Sequence, residues 1–153
     1  LKRKSCLYYT SLAQVVGELA HCTETQSQAL CDYALHLGMA VQIIEETLCS
    51  IRANEADQHK QSNLPFIVIR GLHQANPALR QLIQTGQPAA QVIGQICIET
   101  DALAYTHSQI ESEIKRAIEA VVIFSDNIYR QALQDLATGL LVQFDQDLVD
   151  LGY

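Results

Sequence analysis

Thr23-Glu24-Thr25-Gln26-Ser27-Gln28-Ala29-Leu30-Cys31-Asp32-Tyr33-Ala34-Leu35-His36-Leu37-Gly38-Met39-Ala40-Val41-Gln42-Ile43-Ile44-Glu45-Glu46-Thr47-Leu48-Cys49-Ser50-Ile51 is the stretch on which the fold of this chain turns. Leu30, Ala34, Leu37, Val41, Ile44, Leu48 and Ile51 follow one another at alternating steps of four and three residues. That spacing winds a single apolar stripe along a helix, with no alternating strand signal competing. Thr23 and Gln26 frame a capping box, a hydroxyl at one end and an amide three residues later, which satisfies two orphan N–H groups. The reading is a helix over about 24–50.

Helices continue on both sides. Over residues 4–20, Leu7, Leu12, Val15, Val16 and Leu19 dominate one side of a helix. Arg52 to Asn63 is polar and aperiodic, a loop. Asn63-Leu64-Pro65 opens a short apolar helix through Leu72, with proline suited to a first turn. Pro77–Ile83 and Pro88–Cys97 read as two more short helices around Thr85-Gly86-Gln87. Leu103, Ile110, Ile114, Ala117, Ile118 and Val121 share a face of a helix over 100–122. Ser125-Asp126 offers an N-cap for a last helix to about Phe144, and the acidic Asp145-Gln146-Asp147-Leu148 extends it or frays. No strand, fixed-period repeat or low-complexity segment interrupts the pattern. The expected fold is all-α: residues 1–153 form one domain, or the C-terminal part of a larger helical domain.

Composition bounds the function. The chain has 153 residues, 48% hydrophobic and 18% charged, enough apolar material for a core. No run of about 18 apolar residues occurs, so no transmembrane helix is expected. The net charge is −7, and the only basic cluster is Lys2-Arg3-Lys4, so nucleic acid is not the expected partner. Five cysteines, Cys6, Cys22, Cys31, Cys49 and Cys97, show no C-x-x-C spacing and read as reduced thiols in a reducing compartment. No secretory signal opens the chain. A Leu at position 1 fits a fragment, a processed chain or one domain of a longer protein.

Chemistry concentrates on the polar side of the helix over 24–50. Gln42, Glu45 and Cys49 fall on one face at offsets of three and four, with Glu46 beside them. Two adjacent carboxylates can hold a divalent cation through oxygen, the donor magnesium prefers. On spacing alone the plainer reading is the solvated side of a surface helix.

An ordered series of motifs makes residues 1–65 resemble the second half of the trans-polyprenyl diphosphate synthases. Lys4-Ser5-Cys6-Leu7 stands where that family has K-T-A/S-x-L, and Val16-Gly17 follows. Tyr33-Ala34-Leu35-His36-Leu37-Gly38-Met39-Ala40-Val41-Gln42-Ile43-Ile44-Glu45-Glu46-Thr47-Leu48-Cys49 matches Y-G-x-x-L-G-x-A-F-Q-I-x-D-D-x-x-D, and Asn63-Leu64-Pro65 matches T-L-P. The resemblance implies the C-terminal half of the isoprenoid synthase fold. It also implies head-to-tail condensation of isopentenyl diphosphate with an allylic diphosphate, with magnesium gripping the allylic diphosphate. By position, Lys4 would contact the diphosphate, Gln42 would sit near the reacting centre, and Glu45 and Glu46 would hold metal. Lys60 is the candidate for a further phosphate-binding lysine, close to Asp57.

The departures shape the expectation. The three aspartates of the motif are replaced by Glu45, Glu46 and Cys49, and a thiol is a poor ligand for so hard an ion. Val41 replaces the Phe before the glutamine, and the loop ahead of Leu64-Pro65 lacks the G-K-P element. The first aspartate-rich motif has no counterpart. The chain alone is therefore expected to be inactive. It is read as part of a prenyltransferase, as a non-catalytic subunit pairing with another prenyl synthase chain or with itself, or as an unrelated helical interaction domain.

Overall fold

The architecture is seen in a computed structural model, which describes residues 5–52, 66–74, 77, 81, 96–97 and 99–153. Among them no strand occurs. The helices are α1 (Ser5–Leu19), α2 (Glu24–Arg52), α3 (Phe66–Gln74), α4 (Ala102–Ala120) and α5 (Ile128–Asp150), with a 3-10 turn at Val121–Ile123. The chain divides into two compact units, Leu1–Gln42 with Gln109–Tyr153, and Ile43–Ser108. The loop read at 52–63 and most of the two short helices read between Pro77 and Cys97 lie outside the described residues.

In the first unit, α1 and the start of α2 form an antiparallel hairpin. The capping box closes as the sequence implied. The Thr23 N–H donates to Gln26 Oε1 at 3.0 Å and the Gln26 N–H donates to Thr23 Oγ1 at 3.3 Å. At the other side of the turn His21 takes φ 53°, a left-handed conformation. It lets the Cys22 N–H reach back to the Gly17 carbonyl at 3.0 Å and terminate α1. The two helices approach closely because glycines face the contact. A Cβ on Gly17 would lie 2.8 Å from Ser27 Oγ, and one on Gly38 would lie 3.1 Å from the Cys6 Cα.

The contact side of α1 therefore carries Cys6, Tyr9 and Gly17. Leu7, Leu12, Val15, Val16 and Leu19, which dominate the helix in the sequence, are exposed. The core of this unit comes instead from α2, α4 and α5: Tyr33, Leu37 and Ala40; Ile110, Ile114 and Ala117; Ala137, Phe144 and Leu148. Two bonds tie these helices. The Tyr33 hydroxyl donates to the Leu133 carbonyl at 2.7 Å, and His36 Nδ1 lies 2.7 Å from Glu113 Oε2.

The start of α5 corrects the sequence reading. The cap is Asn127, not Ser125-Asp126. Asn127 is extended at φ −154°, and its Oδ1 accepts from the N–H groups of Tyr129 and Arg130 at 3.0 Å each. Asp126 pairs with Arg130 at 2.6 Å instead. Asn, Asp and Ser cap about equally well, so residue type alone cannot choose among three neighbours. The acidic tail continues the helix to Asp150 because Leu148 is buried, and Gly152 at φ 86° ends it.

The second unit is built on branched aliphatics. Ile67, Val68, Ile96, Cys97 and Ala102 form a buried cluster with Ile51 and Leu103 against it. Buried hydroxyls here bond within their own helices. Thr47 donates to the Ile43 carbonyl and Thr106 to the Ala102 carbonyl, both at 2.7 Å.

Candidate functional site

Helix α2 fixes the geometry of the four candidate side chains. At 3.6 residues per turn, Gln42, Glu45, Glu46 and Cys49 fall within an arc of about 100°, with the two glutamates at its edges. Ile43, Thr47, Leu48 and Ser50 on the other side are buried, which turns the arc outward. Glu45 and Cys49 are exposed one turn apart, and Arg52 continues the stripe; Gln42 and Glu46 are half-buried.

The beginning of α1 lies along α2 one turn before Gln42. Gly38 precedes Gln42 by one turn, and the Cys6 backbone and the Tyr9 ring sit directly over it, each 3.1 Å from where a Cβ would be. A side chain at position 38 would push α1 away, so the glycine sets how near the start of α1 comes to Gln42. Lys4, two residues before Cys6, lies outside the described residues, as do Asp57, Lys60 and Asn63-Leu64-Pro65. Of the residues singled out in the sequence, α2 thus unites Gln42, Glu45, Glu46 and Cys49.

Two polar constellations were not anticipated. Glu113 is buried on α4 and receives His36 at 2.7 Å and Arg116 Nη1 at 3.2 Å. Its place three residues after Ile110 and four before Ala117, inside the inward face, is the signal that marks it in the sequence. In the second unit the Arg70 guanidinium lies 4.1 Å above the Tyr105 ring and bonds Asp101 at 3.1 Å. Phe66, one turn earlier on α3, stacks on the same ring with centroids 6.0 Å apart. Nothing in the spacing of either helix announces that stack. Burial also raises two acids: the Tyr33 hydroxyl from 10.0 to about 12, and the Cys97 thiol from 9.0 to about 11.

The donor set on α2 limits what metal it can hold. Among the described residues no group of three or more His, Cys, Asp or Glu side chains gathers at metal-binding distance. A magnesium enclosed by this helix alone therefore does not fit. Magnesium is also bound by one or two carboxylates with phosphate oxygens and waters completing the octahedron, and Glu45 and Glu46 suit that partial role.

No family model matches the chain. The octaprenyl diphosphate synthases of Escherichia coli (strain K12) and Shigella flexneri are each 26% identical to it over 146 residues, 88% of this chain and 45% of theirs. That of Haemophilus influenzae is 25% identical over 88% of this chain and 44% of its own. The chain is a relative of the polyprenyl diphosphate synthases. It corresponds to their C-terminal portion and spans about half the length of the curated relatives it matches. The fold agrees: a decaprenyl diphosphate synthase from Rhodobacter capsulatus superposes with a TM-score of 0.77 over 91% of this chain and 47% of its own, at 24% identity. The all-α expectation holds, and the fold is shared with that structure.

Proposed function

We propose that this chain is the C-terminal part of a polyprenyl diphosphate synthase-like prenyltransferase, working on allylic and isopentenyl diphosphates, and that it forms no product alone. The observation that carries the reading is the arc of Gln42, Glu45 and Glu46 on α2 with the start of α1 held over Gly38 one turn away. It belongs to a chain whose sequence likeness to octaprenyl diphosphate synthases extends over most of its length. The domain is then one part of a larger helical whole.

In this reading Lys4 and Lys60 hold diphosphate oxygens by charge. Gln42, half-buried at the inner part of the arc, orients the reacting end of the allylic chain through its amide. Glu45 and Glu46 supply carboxylate oxygens to magnesium that also carries diphosphate. Magnesium bound there neutralises charge on the departing pyrophosphate.

Calorimetric titration with an allylic diphosphate, with and without magnesium, tests the site. Magnesium-dependent binding is expected, and it should vanish when Glu45 and Glu46 are both changed to Gln while the helical CD signal stays. Binding that survives the double change removes the metal role. Product formed by the chain alone from an allylic primer, isopentenyl diphosphate and magnesium would sink the proposed dependence on a partner.

Cys49 favours a second reading, a non-catalytic subunit for an active prenyl synthase chain. It stands one turn after Glu45, where a third carboxylate would close a hard-ion site. Cys49→Asp separates the two. Tighter magnesium-dependent diphosphate binding in that variant favours a weakened enzyme site, and unchanged absence of binding favours the subunit.

A further inference from the structure

Glu113 is a buried carboxylate in an apolar seam of the first unit. Along the inward face of α4 its neighbours are Ile110, Ile114 and Ala117, and α2 contributes Tyr33, Leu37 and Ala40 to the same core. Glu113 Oε2 lies 2.7 Å from His36 Nδ1 on α2, and Glu113 Oε1 accepts from Arg116 Nη1 at 3.2 Å. The two partners differ in kind. Arg116 stands three residues further along α4 and travels with Glu113 wherever that helix goes. His36 belongs to the other helix, so its contact exists in a single alignment of α2 with α4.

We infer that His36 and Glu113 form a register lock, a conformational device that admits one alignment of α2 with α4 and penalises slipped ones. Two observations carry this. The first is that the apolar part of the seam selects weakly. A slide of one turn, about 5.4 Å, exchanges one set of alanines and aliphatics for another, and cores of such residues keep stability more readily than uniqueness.

The second observation is that α2 offers Glu113 no substitute for His36. His36 is the only basic residue between Glu24 and Ile51. One turn toward the N-terminus of α2 the carboxylate would meet Asp32, a like charge that already accepts from Gln28 Nε2 at 2.8 Å. Tyr33 beside it spends its hydroxyl on the Leu133 carbonyl. One turn toward the C-terminus stand Met39 and Ala40, whose side chains donate no hydrogen bond. In either slipped alignment Glu113 keeps Arg116, but its second oxygen is buried without a partner, and a buried charge stripped of a partner is strongly unfavourable. A single buried polar residue fixes the register of coiled coils in the same manner, at a cost in stability.

The test compares His36→Leu, Glu113→Leu and the double variant in the intact protein, by urea unfolding and by NMR of the isotope-labelled chain. His36→Leu should lower the urea midpoint by about 1 M or more, because it leaves the buried carboxylate behind. Glu113→Leu should lower it less, since His36 is partly exposed and keeps access to water. The double variant should recover the midpoint to at least that of Glu113→Leu. Its amide signals should nevertheless multiply or broaden, and the NOE contacts between α2 and α4 should no longer fit one alignment.

A double variant with one sharp set of signals and the wild-type contacts between α2 and α4 overturns the inference, because the register then needs no pair. A double variant that unfolds as easily as His36→Leu, or does not fold, overturns it as well. The pair would then hold the helices together rather than choose between alignments. These readouts are independent of diphosphate binding by α2.

Discussion

In the first unit α1 meets α2 through Cys6, Tyr9 and Gly17, and its leucines and valines point to solvent. In the second unit α3 does the reverse, burying Ile67 and Val68 against Ile96 and leaving Ile69 exposed. Both regions rely on a glycine at the contact. At Gly38 the neighbour is backbone and an added Cβ would stand 3.1 Å from it; at Gly71 the neighbour is Ile96 Cγ2 and the Cβ would stand 2.1 Å away. The difference separates two uses of apolar residues. In α3 they hold the unit together. In α1 the approach of two backbones holds the hairpin, and the large side chains remain available for contacts outside it.

The sharpest way to break this contrast is a matched pair of truncations. Ile67→Ala should cost about 2–5 kcal/mol in urea unfolding, the usual range for emptying a buried aliphatic site. Leu12→Ala should cost about 0.5 kcal/mol or less in the monomer, as exposed positions do. Equal costs would mean that α1 carries core weight after all.

The glycines come next. Gly71→Ala forces Ile96, whose branched side chain has little rotamer freedom, and should destabilise by about 1–3 kcal/mol. Combining it with Ile96→Ala should remove the clash but retain the cost of the cavity. Gly38→Ala requires only a shift of a few tenths of an ångström in α1, and the better helix propensity of alanine offsets about 1 kcal/mol of it, so a near-neutral result is expected. A large loss there would show the hairpin to be the more rigid of the two.

Burial sharpens the comparison, since it raises the pKa of one group described in each unit. Tyr33 belongs to the first and Cys97 to the second. Both bind their proton more tightly folded than unfolded. Their contribution is intact below the unfolded values of 9.0 and 10.0 and is lost as pH rises through about 11 for Cys97 and about 12 for Tyr33. The unfolding midpoint should therefore fall from about pH 9 upward. Tyr33→Phe should cost about 0.5–1.5 kcal/mol at neutral pH through its lost bond to Leu133 and should flatten the fall above pH 10. Cys97→Ala should flatten the earlier part. A midpoint insensitive to pH in that interval would contradict both.

The smallest effect is a gain. His21 holds φ 53°, which disfavours a residue with a Cβ. His21→Gly should stabilise the hairpin by a few tenths of a kcal/mol to about 1, read as a higher thermal midpoint.

Periodicity made α2, α4 and the capping box legible, because each depends on residues within four positions of one another. The same locality made the arc of Gln42, Glu45, Glu46 and Cys49 readable before any tertiary contact was known. What lay beyond reach was set by partners far along the chain. The stripe on α1 reads as a core face in the sequence, and only the glycine contacts at Gly17 and Gly38 reveal that the opposite side packs. The His36–Glu113 pair joins residues 77 apart, with no local sign at His36. At Ser125-Asp126-Asn127 three competent caps stand in a row, and the choice among them depends on where α5 begins, with Asp126 engaged by Arg130.

The bond from Tyr33 to Leu133 spans 100 residues, and the first unit is assembled from the two ends of the chain around the intervening Ile43–Ser108. During synthesis that order has a temporal meaning. At about 5–20 residues per second, Leu133 follows Tyr33 by about 5–20 s. Once Ser108 is made, α2 and every residue of the second unit exist, but the carbonyl acceptor on α5 does not. The nascent chain thus has its middle ready to fold before its beginning can close. A stalled or shortened product ending before α5 would present the inner face of α2 to whatever else the cell supplies.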